Sequence, residues 1–349
     1  MKKLITLTLT AILLFAVVAC NGGESNIPQI PEERELIGGF LEEEVIIGEG
    51  TQWELNGLLT IPQDITLKDD GTPIKFPAVV LVHGSGPQDM NSTVHSNKPF
   101  RDIAEYLSSH GIAVLRYDKR TLVHVEAIVE NFSEFTVHEE TVEDAILAAN
   151  LLRDDERIDS DRIFVIGHSM GGILAPRIDA EGGDFAGLII MAGSPRTMIP
   201  EILYDQFTAM SDEAEDIERV QLLALIEELY DLEHLPDITN DEAKQITFFG
   251  LTGYYIKNMN EYPSNEILQN LDKPVLIMHG DKDIQVFTDR DFGEYKELLE
   301  GRNNVTFKLY PNLNHLFMIS TLGTVEEYEI PDTVDSQVLR DIVEWIRSI

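Results

Sequence analysis

The chain has 349 residues, of which 43% are hydrophobic, and this excludes global disorder and suits one large α/β domain with an insertion or two ordinary domains. It carries 62 acidic residues against 26 lysines and arginines, and a surface with a formal net charge of -36 repels nucleic acid and anionic lipid head groups. We interpret the acidity as a solvated surface. A cation-binding role is the alternative, although no spacing resembles an EF-hand or a zinc cluster.

The first twenty residues are typical of a targeting segment. Lys2 and Lys3 precede an apolar stretch over residues 4–19, which is too short to span a membrane comfortably. Small residues followed by Cys20 resemble a bacterial lipoprotein signal, so we expect residues 1–19 to be removed and Cys20 to be lipidated. The protein would then be exported and anchored to the cell membrane, and secretion after cleavage behind Ala19 is the alternative. Cys20 is the only cysteine, which excludes an internal disulfide.

The first half of the chain alternates strand and helix patterns. Residues 20–37 are polar and contain Gly and Pro, which predicts a tether, and the alternation near 44–61 predicts an opening hairpin or meander. Continuous apolar runs at 76–84 and 112–118 predict buried parallel strands, separated by a helix over 98–111 that ends at a glycine.

The second half continues this rhythm. Four further buried strands and two amphipathic helices are predicted: the strands at 162–167, 185–193, 273–281 and 304–311, and the helices at 138–155 and 332–349. Strands that alternate with helices predict a mostly parallel sheet with helices on both faces.

One segment interrupts the alternation. Residues 194–272 hold no convincing strand pattern, and apolar residues at 222, 223, 226, 229 and 230 have helical spacing. We therefore predict a core of residues 38–193 and 273–349 with a helical insertion at 194–272.

The sequence VIGHSMGG, residues 165–172, places a serine between glycines where a strand passes into a helix. This fits a nucleophile elbow, a turn so tight that small residues are needed two positions before and after Ser169. The serine would also lie at a helix N-terminus, where free amides favour negative charge.

A serine hydroxyl needs a base, and the base needs an orienting acid. The strand ending near 278 leads into HGDKDIQV, which offers Asp281 and Asp283, and the last strand leads into PNLNHLF, which offers His315. We predict Asp283 as the acid, because Asp281 falls in the tight turn directly after the strand, where Asp often caps the turn.

An attack on an acyl carbonyl creates an oxyanion, which needs amide donors. We predict the backbone N–H of Met170 as one donor. The second would come from HGSGP at 83–87, with Ser85 as the assignment and Gly86 as the alternative.

Together LVHGSGPQD, NKPFRDIAEYLSSHGIAVLRYDKR, GHSMGG, HGDKDIQV and NHLF resemble the α/β-hydrolase superfamily, in particular bacterial carboxylesterases grouped with serine aminopeptidase-like hydrolases. The resemblance spans roughly residues 40–349. It implies an eight-stranded sheet, a catalytic triad of Ser169, Asp283 and His315, no cofactor, and a cap over the site formed by the insertion. Asp118, Lys119 and Arg120 would either tie loops together through ion pairs or line the acyl pocket.

The function expected from these residues is hydrolysis of a small-molecule carboxylic ester, with small or medium acyl groups, through an acyl-enzyme. A serine aminopeptidase is the first alternative, in which the acidic insertion would bind the substrate ammonium. A non-catalytic binding lipoprotein is the second, and the presence of all three triad residues argues against it.

Overall fold

The computed structural model describes residues 38–63, 74–214 and 216–349. The predicted signal peptide at 1–19, the lipidation site Cys20 and the tether at 20–37 lie outside these ranges and stay predictions. Within the described ranges, no helix combines the length and the apolar character that crossing a membrane requires.

Among the described residues, eight strands form one sheet in the order β1-β2-β4-β3-β5-β6-β9-β10. The strands of this sheet are β1 Phe40–Ile47, β2 Leu55–Pro62, β3 Phe76–Val82, β4 Ala113–Tyr117, β5 Ile158–His168, β6 Gly187–Met191, β9 Val275–Gly280 and β10 Val305–Tyr310. β1 pairs antiparallel with β2 and β2 antiparallel with β4, whereas the pairs from β4 to β10 are parallel. The predicted mostly parallel sheet of about eight strands is confirmed.

The described α-helices are α1 Pro99–Ser109, α2 Arg120–Val123, α3 Val125–Glu130, α4 Glu143–Asp154, α5 Met170–Ile178, α6 Leu203–Glu213, α7 Asp216–Tyr230, α8 Asn240–Ala243, α9 Gly253–Asn260, α10 Ser264–Asn270, α11 Gly293–Leu298 and α12 Ser336–Ser348. Short π-helical or 3₁₀ turns occur at His138–Val142, Asp179–Gly183, Met198–Ile202, Asp231–Asp237, Thr288–Phe292 and Val325–Glu329.

The central strands are buried on both faces. Every residue of β4, β6 and β9 is buried, which explains why these strands read as continuous apolar runs rather than as alternating patterns. Helices α1 and α12 pack together over one face, in a core that includes Val79, Phe164 and Leu276. Helices α4 and α5 contact β5. Successive side chains of this strand point to opposite faces of the sheet, and those that alternate with Phe164, such as Val165, are buried too.

The chain divides into two compact units. The sheet unit comprises, among the described residues, 38–125, 139–196 and 263–349, and the helical unit comprises 126–138 and 197–262. Residues 263–272, which the sequence assigned to the insertion, group with the sheet unit.

The helical unit has its own small apolar core. Phe249, which is 2% exposed, contacts Phe207 with ring centroids 6.0 Å apart. This unit also holds the two-stranded hairpin β7 Thr247–Phe248 and β8 Leu251–Thr252. The expectation of a segment without strands was therefore wrong at this hairpin, because two-residue strands are too short to produce a periodic pattern.

Candidate active site

Ser169 occupies the single residue between β5 and α5. Its φ of 55° and ψ of -121° lie in a region that non-glycine residues rarely adopt, and such strain persists only where the surroundings enforce it. The Ser169 N–H donates to the main-chain oxygen of Met191 over 2.9 Å, which ties the turn to the neighbouring strand β6. The turn therefore has the strained geometry that the motif requires.

The glycines on either side of Ser169 lie against backbone. A Cβ at Gly167 would stand 2.2 Å from the main-chain oxygen of Gly171, and a Cβ at Gly171 would stand 2.4 Å from the oxygen of Val82. Backbone at these distances cannot give way as a flexible side chain could, so only glycine fits. This is the physical basis of the spacing in the sequence.

His315 and Asp283 come from the loops after β10 and β9, and the structure brings their side chains together. His315 Nδ1 lies 2.7 Å from Asp283 Oδ2, and both residues are buried. The other carboxylate oxygen, Oδ1, accepts hydrogen bonds from the backbone N–H groups of Gln285 and Val286 at 2.8 and 3.0 Å. A carboxylate held in this way is an acceptor, so His315 Nδ1 carries the proton and Nε2 is left as the basic nitrogen.

Burial by itself would raise the pKa of Asp283. The electrostatic attraction and hydrogen bond of His315, together with His279 and the Val286 N–H, outweigh burial and hold the pKa of Asp283 below its ordinary value, so the carboxylate is ionised. Asp281 is exposed and accepts instead from the Asn312 N–H over 2.6 Å. Of the two aspartates that the sequence offered, Asp283 is the one that contacts His315.

The loop after β3 lies beside the serine. A Cβ at Gly84 would stand 3.0 Å from the Cβ of Ser169, so the main chain at Gly84 is in close contact with this side chain. Two side chains hold the carbonyls that flank this turn: Lys119 Nζ donates to the oxygen of Gly84 over 2.7 Å, and Gln88 Nε2 donates to the oxygen of Ser85 over 2.9 Å. The loop is thus fixed next to the predicted nucleophile.

Met170, whose N–H is the other predicted donor, is the first residue of α5 and is buried. Backbone N–H groups in the first turn of a helix have no partner within the helix. Met170 thus directly follows Ser169, and Ser85 directly follows Gly84, whose main chain lies against the Ser169 side chain.

Three buried histidines stand at the carboxyl ends of the strands around the site. His83 Nε2 lies 3.0 Å from the oxygen of Asp89, His168 Nε2 lies 2.8 Å from the oxygen of His315, and His279 Nε2 lies 2.9 Å from the oxygen of Val286. Each pins one loop of the site. Sequence reasoning missed this role for His83 and His168, although a histidine at the end of an otherwise apolar strand was a visible signal.

Two of these histidines are held neutral. Burial, followed by the charge of Lys119, lowers the pKa of His83 to about 3, and burial with the neighbouring His315 lowers the pKa of His168 to about 3. In the neutral imidazole only one nitrogen carries hydrogen, and the carbonyl acceptor places it on Nε2.

The charged segment after β4 forms ion pairs and loop contacts. Arg120 is fully buried and pairs with Asp144 and Glu143, while Asp118 Oδ1 accepts from the Met90 N–H over 2.8 Å. Lys119 pairs with Glu140. These contacts agree with the interpretation that this segment ties loops together through ion pairs, which was the first of the two offered by the sequence analysis.

The model of the α/β-hydrolase family matches residues 79–327, which is more than half of the chain. The chain belongs to the α/β-hydrolase family.

Among related proteins, this α/β hydrolase is similar to "Esterase EstD" of Thermotoga maritima, at 37% identity over 294 residues. The match spans 84% of this chain and 66% of the relative, just under two thirds of the relative's length.

Solved structures agree on the fold. Est1E from Butyrivibrio proteoclasticus aligns with a TM-score of 0.52 at 17% identity and covers 87% of this chain and 98% of its own. The Pyrococcus furiosus esterase Pf2001 aligns with a TM-score of 0.51 at 16% identity, covering 93% and 97%. An acylaminoacyl peptidase of Pyrococcus horikoshii reaches 0.55 at 15% identity, covering 88% of this chain and 42% of that chain. Esterases and peptidases thus share this α/β-hydrolase architecture.

Proposed function

We propose that the chain is a serine hydrolase that cleaves carboxylic esters with small or medium acyl groups through an acyl-enzyme on Ser169. The observation that carries this proposal is the 2.7 Å hydrogen bond between His315 Nδ1 and Asp283 Oδ2. This bond orients the buried imidazole of His315. The main-chain oxygen of His315 is in turn bonded to the side chain of His168, the residue before the strained Ser169. The relative named as an esterase supports ester hydrolysis among the reactions of this family.

In the proposed reaction, His315 Nε2 removes the proton from Ser169 Oγ, which attacks the ester carbonyl carbon. The negative oxygen that forms is held by the N–H groups of Ser85 and Met170. His315 returns the proton to the leaving alcohol as the carbon–oxygen bond breaks. Water then gives a proton to His315 while its oxygen attacks the acyl carbon. His315 passes that proton to Ser169 Oγ as the bond between Oγ and the acyl carbon breaks, which releases a carboxylic acid and restores both residues. Asp283 stabilises the imidazolium in both halves of the cycle.

The first experiment compares residues 21–349 with the Ser169→Ala variant on p-nitrophenyl esters of increasing acyl length and on aminoacyl anilides. We expect ester turnover by the wild type, greatest for short or medium chains, and its loss in the variant. Turnover of anilides but not esters would replace the proposal with the aminopeptidase alternative. A folded protein that turns over neither series and resists a fluorophosphonate probe would leave the binding-lipoprotein alternative.

We further propose that the enzyme is exported and attached to the membrane through lipidated Cys20, with secretion as the alternative. This rests on the residues at 1–20 alone. Fractionation of cells that express the full chain and its Cys20→Ser variant tests it. We expect the full chain in the membrane fraction and the variant in a different fraction, and an unchanged distribution would contradict the anchor.

A further inference from the structure

A buried cation that the reaction above does not use contacts the Gly84 loop. The Lys119 side chain is only 2% exposed, and its Nζ donates to the Gly84 oxygen over 2.7 Å and to Glu140 Oε1 over 2.6 Å. Because two charges lose their hydration when they are buried, such a pair contributes little net stability compared with well-packed apolar side chains. The contact with a main-chain oxygen next to the site points to a different role.

The oxygen that Lys119 binds belongs to the same peptide group as the Ser85 N–H. In a planar trans peptide the C=O and the N–H point in opposite directions, so a donor that fixes the Gly84 oxygen also fixes the direction of the Ser85 N–H. Gly84 lies against Ser169, with only 3.0 Å between a Cβ placed there and the serine Cβ. The orientation of this one peptide therefore decides whether the N–H faces the reacting carbonyl.

An ammonium group also strengthens the donor at the other end of the peptide. A hydrogen bond to a carbonyl polarises the amide, and hydrogen bonds in such a chain reinforce one another. The bond from Lys119 is charge-assisted, and it lies in a buried setting where electrostatic effects are weakly screened. The Ser85 N–H consequently becomes a better partner for developing negative charge than an unpolarised amide.

We propose that Lys119 is a positioning residue for ester hydrolysis, which orients and polarises the Gly84–Ser85 peptide so that the Ser85 N–H stabilises the oxyanion. Glu140 is the counter-ion of this ammonium group. This inference rests on the proposed function, because an oxyanion forms only if the chain attacks an acyl carbonyl.

The test compares Lys119→Met/Glu140→Gln, which removes both charges, with Glu140→Gln, which leaves the ammonium on the Gly84 oxygen. Arg116→Met is the matched control: Arg116 is a buried cation on β4 that contacts Thr60 on β2 and Glu42 on β1. Each variant is assayed for kcat and KM on a p-nitrophenyl ester, for inhibition by a trifluoromethyl ketone that forms an oxyanion on the serine, and for its melting temperature.

We expect the double variant to lose about tenfold to hundredfold in kcat with KM nearly unchanged, less than the loss of a whole oxyanion donor, which is about 10²–10³. Its affinity for the ketone should fall by a similar factor, since this inhibitor resembles the transition state. Glu140→Gln and Arg116→Met should keep kcat within about threefold of the wild type, whatever their melting temperatures.

Three results would overturn the inference while leaving ester hydrolysis intact: an unchanged kcat in the folded double variant, an effect confined to KM, or an equal loss in Glu140→Gln. If the methionine variant does not fold, Lys119→Gln/Glu140→Gln replaces it with a neutral donor, for which the same comparison predicts a smaller fall in kcat. Absence of ester turnover in the wild type itself would instead reject the proposed function, and this inference with it.

Discussion

His168 makes two contacts with His315: its Nε2 lies 2.8 Å from the main-chain oxygen of His315, and the two rings lie 4.7 Å apart between centroids. The residue that precedes the predicted nucleophile therefore holds the loop that carries the predicted base. The two histidines are 147 positions apart in the sequence. This coupling gives the site a specific weak point outside the three residues of the predicted triad.

Replacement of His168 by Phe should reduce kcat by about tenfold and the free energy of unfolding by about 1–3 kcal/mol, because it leaves the His315 oxygen buried without a donor. His168→Gln, which keeps an N–H donor, is the control and should lose less of both. Ester kinetics and urea unfolding measure the two effects. A Phe variant with wild-type kcat would show that the contact does not position His315.

Asp283→Asn should lower kcat by about 10³–10⁴, because an amide at this position favours the wrong tautomer of His315 and cannot stabilise the imidazolium. Asp281→Asn is the matched control on the same loop, and we expect kcat to stay within about threefold, since the exposed Asp281 side chain accepts from the Asn312 N–H rather than from His315. Steady-state ester kinetics with both variants decide this, and equal losses in the two would reject Asp283 as the orienting acid.

Acid should destabilise the fold through its buried histidines. The pKa values of His83 and His168 are about 3 in the folded protein, against about 6.5 for unfolded histidine. A depressed pKa means that the unfolded state binds more protons between these values. The stabilisation is therefore complete above pH about 6.5 and is lost as the pH falls towards 3, at about 1.4 kcal/mol per pH unit for each histidine.

Urea unfolding at pH 7, 6 and 5 measures this slope. His83→Gln and His168→Gln should each make it shallower, and His234→Gln, at an exposed position of the helical unit, is the control for the substitution itself. If neither buried variant changes the slope, other groups account for the acid sensitivity.

Gly171→Ala should destabilise the fold by about 1–3 kcal/mol or prevent folding, because the new methyl group would stand 2.4 Å from the Val82 oxygen. Gly293→Ala is the control: its nearest atom would be 3.8 Å away, and alanine suits the start of helix α11. Melting temperatures of the two variants give the comparison. An unaffected Gly171→Ala variant would show that the elbow relaxes more easily than its backbone contacts indicate.

The sequence revealed those parts of the fold that follow from local patterns. The runs at 76–84 and 273–281 predicted β3 and β9 because a strand covered on both faces has no polar positions to interrupt it. The nucleophile-elbow pattern was recognisable in the sequence because only glycine fits two positions before and two positions after Ser169. The Ser, Asp and His positions followed from the order of the strands, each residue lying just beyond a strand end.

Other features depend on contacts between distant segments and leave no periodic signal. Residues 126–138 group with the helical unit, although they lie nearly sixty positions before its main segment, which starts at Thr197. The partners of Lys119 and His168 are likewise remote in sequence. The sequence pattern shows that these side chains are polar groups near buried strands, but it does not show which carbonyl or carboxylate each of them binds.

Strand β1 is the outermost strand of the sheet on one side, among the described residues, and it carries Glu42, Glu43 and Glu44 in succession. An outermost strand exposes unpaired backbone groups that can recruit a strand from another molecule. Here Glu42 and Glu43 are ion-paired to Arg116 and Arg157, so the acidic residues are tolerated within the fold. A second copy that approached with its own β1 would bring carboxylates against carboxylates, so this edge resists the strand-to-strand aggregation to which open sheets are prone.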